Sequence, residues 1–198
     1  SAADLARLGS LQSAMKQFAP AAASFQQAID RVRASGPRTD LWTLQLLQAE
    51  ALNRAGQWAA AKSALHAALA AQPEEPLILN YLGYAMLEKG EDLDTAEALI
   101  RKASELAPDN ASIIDSLGWT EFKRGKVNDA IATLQKAAAQ DPDQAEIQEH
   151  LGDALFTSGR RYEARFAWTA GLLTAEEEIG RRLRAKLEQG LNPANAAP

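Results

Sequence analysis

The sequence predicts an all-α fold in which helix pairs repeat along a solenoid, and three observations predict it. Gly83, Gly118 and Gly152 recur at spacings of 35 and 34 residues, each directly after a leucine, Leu82, Leu117 and Leu151. Ala96, Ala130 and Ala164 keep step with them, each followed four residues later by a bulky apolar residue, Ile100, Leu134 and Trp168, which is the spacing of one helix face. Pro73, Pro108 and Pro142 close successive periods, where a proline stops one helix and suits the first turn of the next. Midway through each period stands another glycine, Gly56, Gly90, Gly125 or Gly159, as expected of the turn between two helices.

A helix–turn–helix period of about 34 residues, with a bulky residue three before Leu-Gly, then Ala-x-x-x-bulky and Pro, resembles the tetratricopeptide repeat. The resemblance implies a right-handed α-solenoid and places five units at about residues 2–35, 42–75, 76–110, 111–144 and 145–172. The first unit keeps Ala21/Phe25 and runs on through Ser35-Gly36-Pro37; the second keeps Ala61/Leu65. In the second unit Ala49 replaces the helix-packing glycine and Gln45 the bulky residue before it, so the motif is weaker in this half. The third carries one extra residue around Glu91-Asp92-Leu93, and the fourth and fifth follow the pattern closely. Each pair is too small to bury its own apolar stripe, so neighbours must stack into a continuous core. Gly83, Gly118 and Gly152, with Ala68, Ala103 and Ala137, permit the close approach this needs.

After the fifth unit, Thr174-Ala175-Glu176-Glu177 is a candidate capping box for a terminal helix at about residues 175–191. Ile179, Leu183, Leu187 and Leu191 recur every four residues, leaving Arg181, Arg182, Arg184 and Lys186 for the other faces. The expected role is a solvating end cap, with a basic docking patch as the alternative. Residues 1–191 then form a single solenoid, and 192–198 a disordered tail. Ser1-Ala2-Ala3 runs almost at once into a helical pattern, which reads as a fragment of a longer chain.

Composition narrows the function. With 46% apolar and 24% charged residues the chain is of ordinary globular type. A net charge of −5 gives no general electrostatic reason to hold nucleic acid. The absence of cysteine removes disulfides, thiolate nucleophiles and Cys-ligated zinc. No apolar run approaches the roughly 20 residues that span a bilayer. His66 and His150 lie in different units. Glu146, His150 and Asp153 share a region of one helix but lack the HExxH arrangement. No catalytic residue, metal ligand set, phosphate cradle or cofactor site is expected, so the chain reads as a non-enzyme.

The stretch Ile114-Asp115-Ser116-Leu117-Gly118-Trp119-Thr120-Glu121-Phe122 locates a candidate binding surface. At about 100° per residue, Ile114, Leu117, Gly118 and Glu121 share one face, the stack. Asp115 and Trp119 fall off it and Phe122 lies at its border. The same angles hold Asn80 and Tyr84 in the third unit, and Glu149, Asp153 and Phe156 in the fifth. The family resemblance implies that this lane lines the concave groove. A groove of Tyr84, Trp119, Phe122 and Phe156 beside Asp115, Glu149 and Asp153 is expected to take a protein or peptide segment with apolar and basic side chains. The carboxylate clamp of chaperone-binding relatives is not expected, because these acidic groups would repel a peptide terminus. Self-assembly, with the groove receiving another copy, is the rival.

Asn80-Tyr81-Leu82-Gly83-Tyr84, Ile114-Asp115-Ser116-Leu117-Gly118-Trp119, His150-Leu151-Gly152-Asp153-Ala154-Leu155-Phe156 and Gly159-Arg160-Arg161-Tyr162-Glu163-Ala164-Arg165 with Trp168 are more particular than the general repeat. They are similar to a group of bacterial envelope tetratricopeptide proteins, often lipoproteins, some of which bring a periplasmic protease to its substrates. The resemblance implies an adaptor at the periplasm or the periplasmic face of the outer membrane. A cytoplasmic scaffold, or the recruiting arm of a larger enzyme, is the alternative.

Overall fold

The computed structural model describes residues 1–35 and 41–198, and among them the chain forms eleven α-helices and no strand. In order these are α1 (Ala2–Ala14), α2 (Phe18–Ala34), α3 (Leu41–Arg54), α4 (Trp58–Ala71), α5 (Pro76–Glu88), α6 (Leu93–Leu106), α7 (Ala111–Lys123), α8 (Val127–Gln140), α9 (Ala145–Thr157), α10 (Arg161–Leu172) and α11 (Glu177–Gln189). Five helix pairs followed by one helix is the all-α repeat architecture that the glycine and proline periods predict. The expected run-on at Gly36-Pro37 lies outside the described residues.

The turn inside each pair carries a left-handed residue at a matching place, joined in the third pair by Asp92 at φ 34°. Gly56, Gly90, Gly125 and Gly159 have φ of 77°, 64°, 76° and 87°, and in the first pair Lys16 takes φ 58° at the same place. A lysine there hides the first turn from a search for glycine, and it carries the left-handed penalty that a Cβ imposes.

Close approach between paired helices explains the other glycines. A Cβ on Gly118 would stand 2.7 Å from Leu134 Cγ, one on Gly83 2.7 Å from Ile100 Cγ1, and one on Gly152 would collide with the Trp168 indole. Gly9 does the same in the first pair, where a Cβ would meet Phe25 Cε1 at 2.8 Å. The bulky partner in each pair is the residue four after the periodic alanine, as the sequence pattern requires.

The chain divides into two compact units, Ser1–Leu82 and Gly83–Pro198. The first is centred on Ala21, Ala22, Phe25 and Ala51, with Leu44, Leu47 and Leu52 packed against them. The second is larger and joins Ala130, Ile131, Leu134, Leu151, Leu155 and Trp168 to Leu183 of α11. Ile179, Leu187 and Leu191 lie against that core, so the four-residue apolar recurrence is the seated face of α11.

Two local expectations are corrected. Thr174 is not a capping residue, because its hydroxyl donates to the Asp143 carbonyl at 2.6 Å, and α11 starts after Glu176 without a side-chain cap. Residues 192–198 are not a loose tail. Gly190 ends α11 with φ 76° and ψ 174°, a backbone region open essentially to glycine alone, and turns the chain back. Asn195 then ties down the turn, donating from Nδ2 to the Gly190 carbonyl at 2.9 Å and accepting from Asn192 N–H at 2.9 Å.

Candidate partner-binding lane

Helices α7 and α9 carry the centre of the predicted lane. Asn110 starts α7 by accepting the Ile113 N–H at 3.2 Å. Glu121 meets Thr133 of α8 at 2.7 Å, while Asp115 and Trp119 meet His150 of α9. The wheel angle of Trp119 sets it apart from Gly118, which seats Leu134 of α8. Trp119 is nevertheless only 1% exposed. Its ring stacks on His150 with centroids 4.1 Å apart and planes 9° apart, and on Phe122 at 4.8 Å and 15°. Its Nε1–H donates to the Pro198 carbonyl at 2.8 Å. The expectation of an open anchor fails because α9 and the returning chain cover the ring.

The acidic groups have partners within the chain as well. His150 Nδ1 lies 3.0 and 2.9 Å from the two Asp115 oxygens, so the carboxylate facing the histidine comes from α7, not from Glu146 or Asp153 of its own helix. Burial opposes charging the imidazole, but Asp115 outweighs it and holds His150 above its ordinary value. Glu149, fully buried, accepts from Lys186 Nζ at 2.6 Å and from Arg182 at 2.9 and 2.7 Å. Despite its desolvation, these cations hold its carboxyl below the ordinary value. Asp153 accepts from Lys186 Nζ at 2.8 Å, from the Trp168 Nε1–H at 3.0 Å and from the Ala197 N–H at 3.2 Å. Here burial prevails over Lys186 and raises the carboxyl. The basic residues of α11 are thus not all solvating: Lys186 is 0% exposed, between two carboxylates.

The remaining predicted residues are placed differently. Tyr84 donates from its hydroxyl to Glu146 at 3.3 Å, and burial beside that carboxylate pushes its phenol well up. Phe122 and Phe156 are partly buried against the second unit's core; Phe156 leans on Trp168 at 5.4 Å and faces the Gly190 turn. Asn80 belongs to the first unit, and its Oδ1 is buried with no hydrogen-bond partner among the described residues. The structure therefore brings Asp115, Trp119, Phe122, Glu149, Asp153 and Phe156 together with three participants not expected there: Arg182, Lys186 and the segment ending in Pro198.

A sequence signal for two of these exists. Glu149 and Asp153 are four apart on α9, and Arg182 and Lys186 are four apart on α11. Two helix-face pairs of opposite sign and equal spacing complement each other. For Ala197 and Pro198, which engage through backbone atoms, no side-chain signal exists.

Asp115, Glu149 and Asp153 face His150, Arg182 and Lys186, so these three carboxylates are already paired within the chain. Among the described residues no helix is long and apolar enough to cross a membrane.

Comparison with known proteins bears on the fold. Residues 46–111 match the family model described as tetratricopeptide repeat, and residues 118–159 match one described as TPR repeat. The TPR repeat-containing protein PA4667 of Pseudomonas aeruginosa is 36% identical over 85 residues, covering 43% of this chain but only 14% of that relative. The crystal structure of TTC0263, a thermophilic TPR protein of Thermus thermophilus, superposes with a TM-score of 0.79 at 20% identity, over 96% of this chain and 98% of that one. That of YrrB, described as a TPR protein with an unusual peptide-binding site, does so with a TM-score of 0.58 at 16% identity, over 93% and 92% of the two chains. At these identities the two structures speak to the fold alone.

Proposed function

We propose that this chain, a tetratricopeptide-repeat protein, is a non-catalytic scaffold that receives an extended segment of a partner protein on the lane formed by α7 and α9. Tetratricopeptide-repeat proteins generally mediate protein–protein interaction, and the repeat is typically non-catalytic. One observation carries the reading for this chain: the lane already holds backbone atoms of another stretch of polypeptide. Trp119 donates to its Pro198 carbonyl and Asp153 accepts its Ala197 N–H. A surface that satisfies backbone groups in this way suits a peptide ligand. The peptide-binding site ascribed to YrrB is a parallel on the same fold.

The motif resemblance through Leu82-Gly83-Tyr84, Leu117-Gly118-Trp119 and Leu151-Gly152-Asp153 favours a role as a bacterial envelope adaptor, and the stretch shared with PA4667 accords with a bacterial tetratricopeptide-repeat protein. Because the chain matches a small part of that relative, the whole protein's partners are argued from the lane.

Selection from a phage-displayed peptide library on the immobilised chain tests the scaffold reading. Enriched peptides should weaken about tenfold on Trp119→Phe, which keeps a ring and removes the N–H donor, a change of roughly 1.4 kcal/mol. No enrichment, or equal binding to both proteins, would defeat the proposal.

A further inference from the structure

Residues 195–198 are held in an unusual way. Ala197 and Asn195 are 5% and 4% exposed, yet the bonds reaching the lane are two: Trp119 Nε1–H to the Pro198 carbonyl and Ala197 N–H to Asp153 Oδ2. The other bonds are local to the turn. Asn195 and Ala196 N–H donate to the Asn192 carbonyl at 3.1 and 3.0 Å, and Ala194 N–H to Asn192 Oδ1 at 3.0 Å. Helix α11, by contrast, is anchored by Lys186, Arg182 and Leu183. The segment is a short ligand on a fixed platform, joined to it through Gly190.

We propose that Trp119, Asp153 and the adjoining face of α11 form a peptide-backbone site whose resident is this chain's own residues 195–198, and that a partner segment of the same chemistry exchanges with it. That chemistry is small and uncharged. The Ala197 methyl is enclosed, so a long side chain does not fit at its position. Glu149 and Asp153 already face Lys186 and Arg182, so a basic side chain at this position meets carboxylates that are already paired. Specificity then rests on an Ala-Pro pair presenting one N–H and the carbonyl that follows it. This deepens the scaffold reading and rests on it: the partner must displace the resident. A tether this short confers an effective concentration on the order of millimolar, so a free peptide of equal intrinsic affinity is largely shut out until the resident leaves.

The test uses the full 198-residue chain carrying Ala197→Glu, which places bulk and a like charge against Asp153. The probe is fluorescein-labelled Asn-Pro-Ala-Asn-Ala-Ala-Pro, followed by anisotropy, with circular dichroism confirming unchanged helicity. The variant should bind the probe at least about tenfold tighter than the unsubstituted chain, and Trp119→Phe in that background should abolish the gain. The Trp119 indole N–H resonance should shift in Ala197→Glu and return on adding unlabelled peptide. Equal probe binding by both chains, or an unmoved indole resonance, would overturn the proposal. So would concentration-dependent dimers of the unsubstituted chain that vanish in the variant, which would make the true occupant a second copy.

Amide exchange on the unsubstituted chain provides a check that needs no variant. The Ala197 amide should exchange at least about tenfold faster than the buried amides of α9, and equal protection would mean that the segment never leaves. The two readings fail separately. A library that yields nothing on either the unsubstituted chain or Ala197→Glu, while the probe binds Ala197→Glu, would sink the scaffold reading alone. Peptides that bind through Trp119 without moving residues 195–198 would sink the exchange alone.

Discussion

The two compact units share one repeat but satisfy their interior polar groups by different chemistry. In Ser1–Leu82 the half-buried ties described between helices include two neutral ones: Ser24 donates to Gln12 at 2.7 Å and Gln48 to Gln26 at 2.6 Å. In Gly83–Pro198 the buried ties include ionic ones, with Lys186 between Glu149 and Asp153 and His150 against Asp115. A neutral tie contributes about 0.5–1.5 kcal/mol, and the groups it joins are tolerable when parted. An ion pair in the interior contributes little over an apolar replacement of both partners, but losing one partner strands the other charge. The second unit is therefore the one whose arrangement is enforced.

The largest effect that sharpens this contrast is expected from Lys186→Met. Glu149 keeps Arg182, but Asp153 loses its cation at 1% exposure, and a loss of about 3–5 kcal/mol is expected. Denaturant-dependent amide exchange should locate that loss in Gly83–Pro198, with Ser1–Leu82 changed by less than about 0.5 kcal/mol. Equal losses in both units would break the contrast.

The pH dependence is next. His150 lies above its ordinary 6.5 in the folded chain, so its stabilising contribution is complete below that value and is lost as pH rises through the raised folded value. The stability deficit of His150→Gln should accordingly narrow as pH climbs above 6.5, measured by urea unfolding across a pH series. A deficit that widens with pH would place the neutral imidazole, not the imidazolium, against Asp115.

Gln48→Leu should cost the first unit about 1 kcal/mol, and by the same unfolding measurement that cost should stay flat over the range in which His150→Gln changes. The smallest effect is a gain: Lys16→Gly relieves the left-handed φ of 58° and should raise the melting midpoint, for about 0.5–1 kcal/mol.

What the sequence made legible was whatever repeats. Gly83, Gly118 and Gly152, the second-helix alanines and the interrupting prolines each meet the same local demand several times over, so their spacing exposes the architecture. The first unit was fainter because Lys16 stands at the turn, and Gly9 is out of period with the later packing glycines. Trp119 shows the limit of a helical wheel. Its angle set it apart from the glycine that seats the paired helix, but an angle says nothing of what another part of the chain lays across it, and Trp119 is buried. Arg182, Lys186 and Pro198 lie 33, 37 and 79 residues from the groups they reach, and none of them recurs. Segments that engage through backbone atoms, as Ala197 does, leave no trace in residue type.

The Gly152–Trp168 contact has a consequence for how such a chain is assembled from its parts. Gly118 receives Leu134, a side chain that asks nothing of its surroundings, so that seat by itself makes no polar demand on the elements that follow. Trp168 brings an indole N–H into the interior, which obliges Asp153 to accept it, and Asp153 in turn obliges Lys186 to lie alongside. Residues 145–172 are therefore a keystone: they can be transplanted only with α11, and an array extended by copying repeats should grow on the near side of α9.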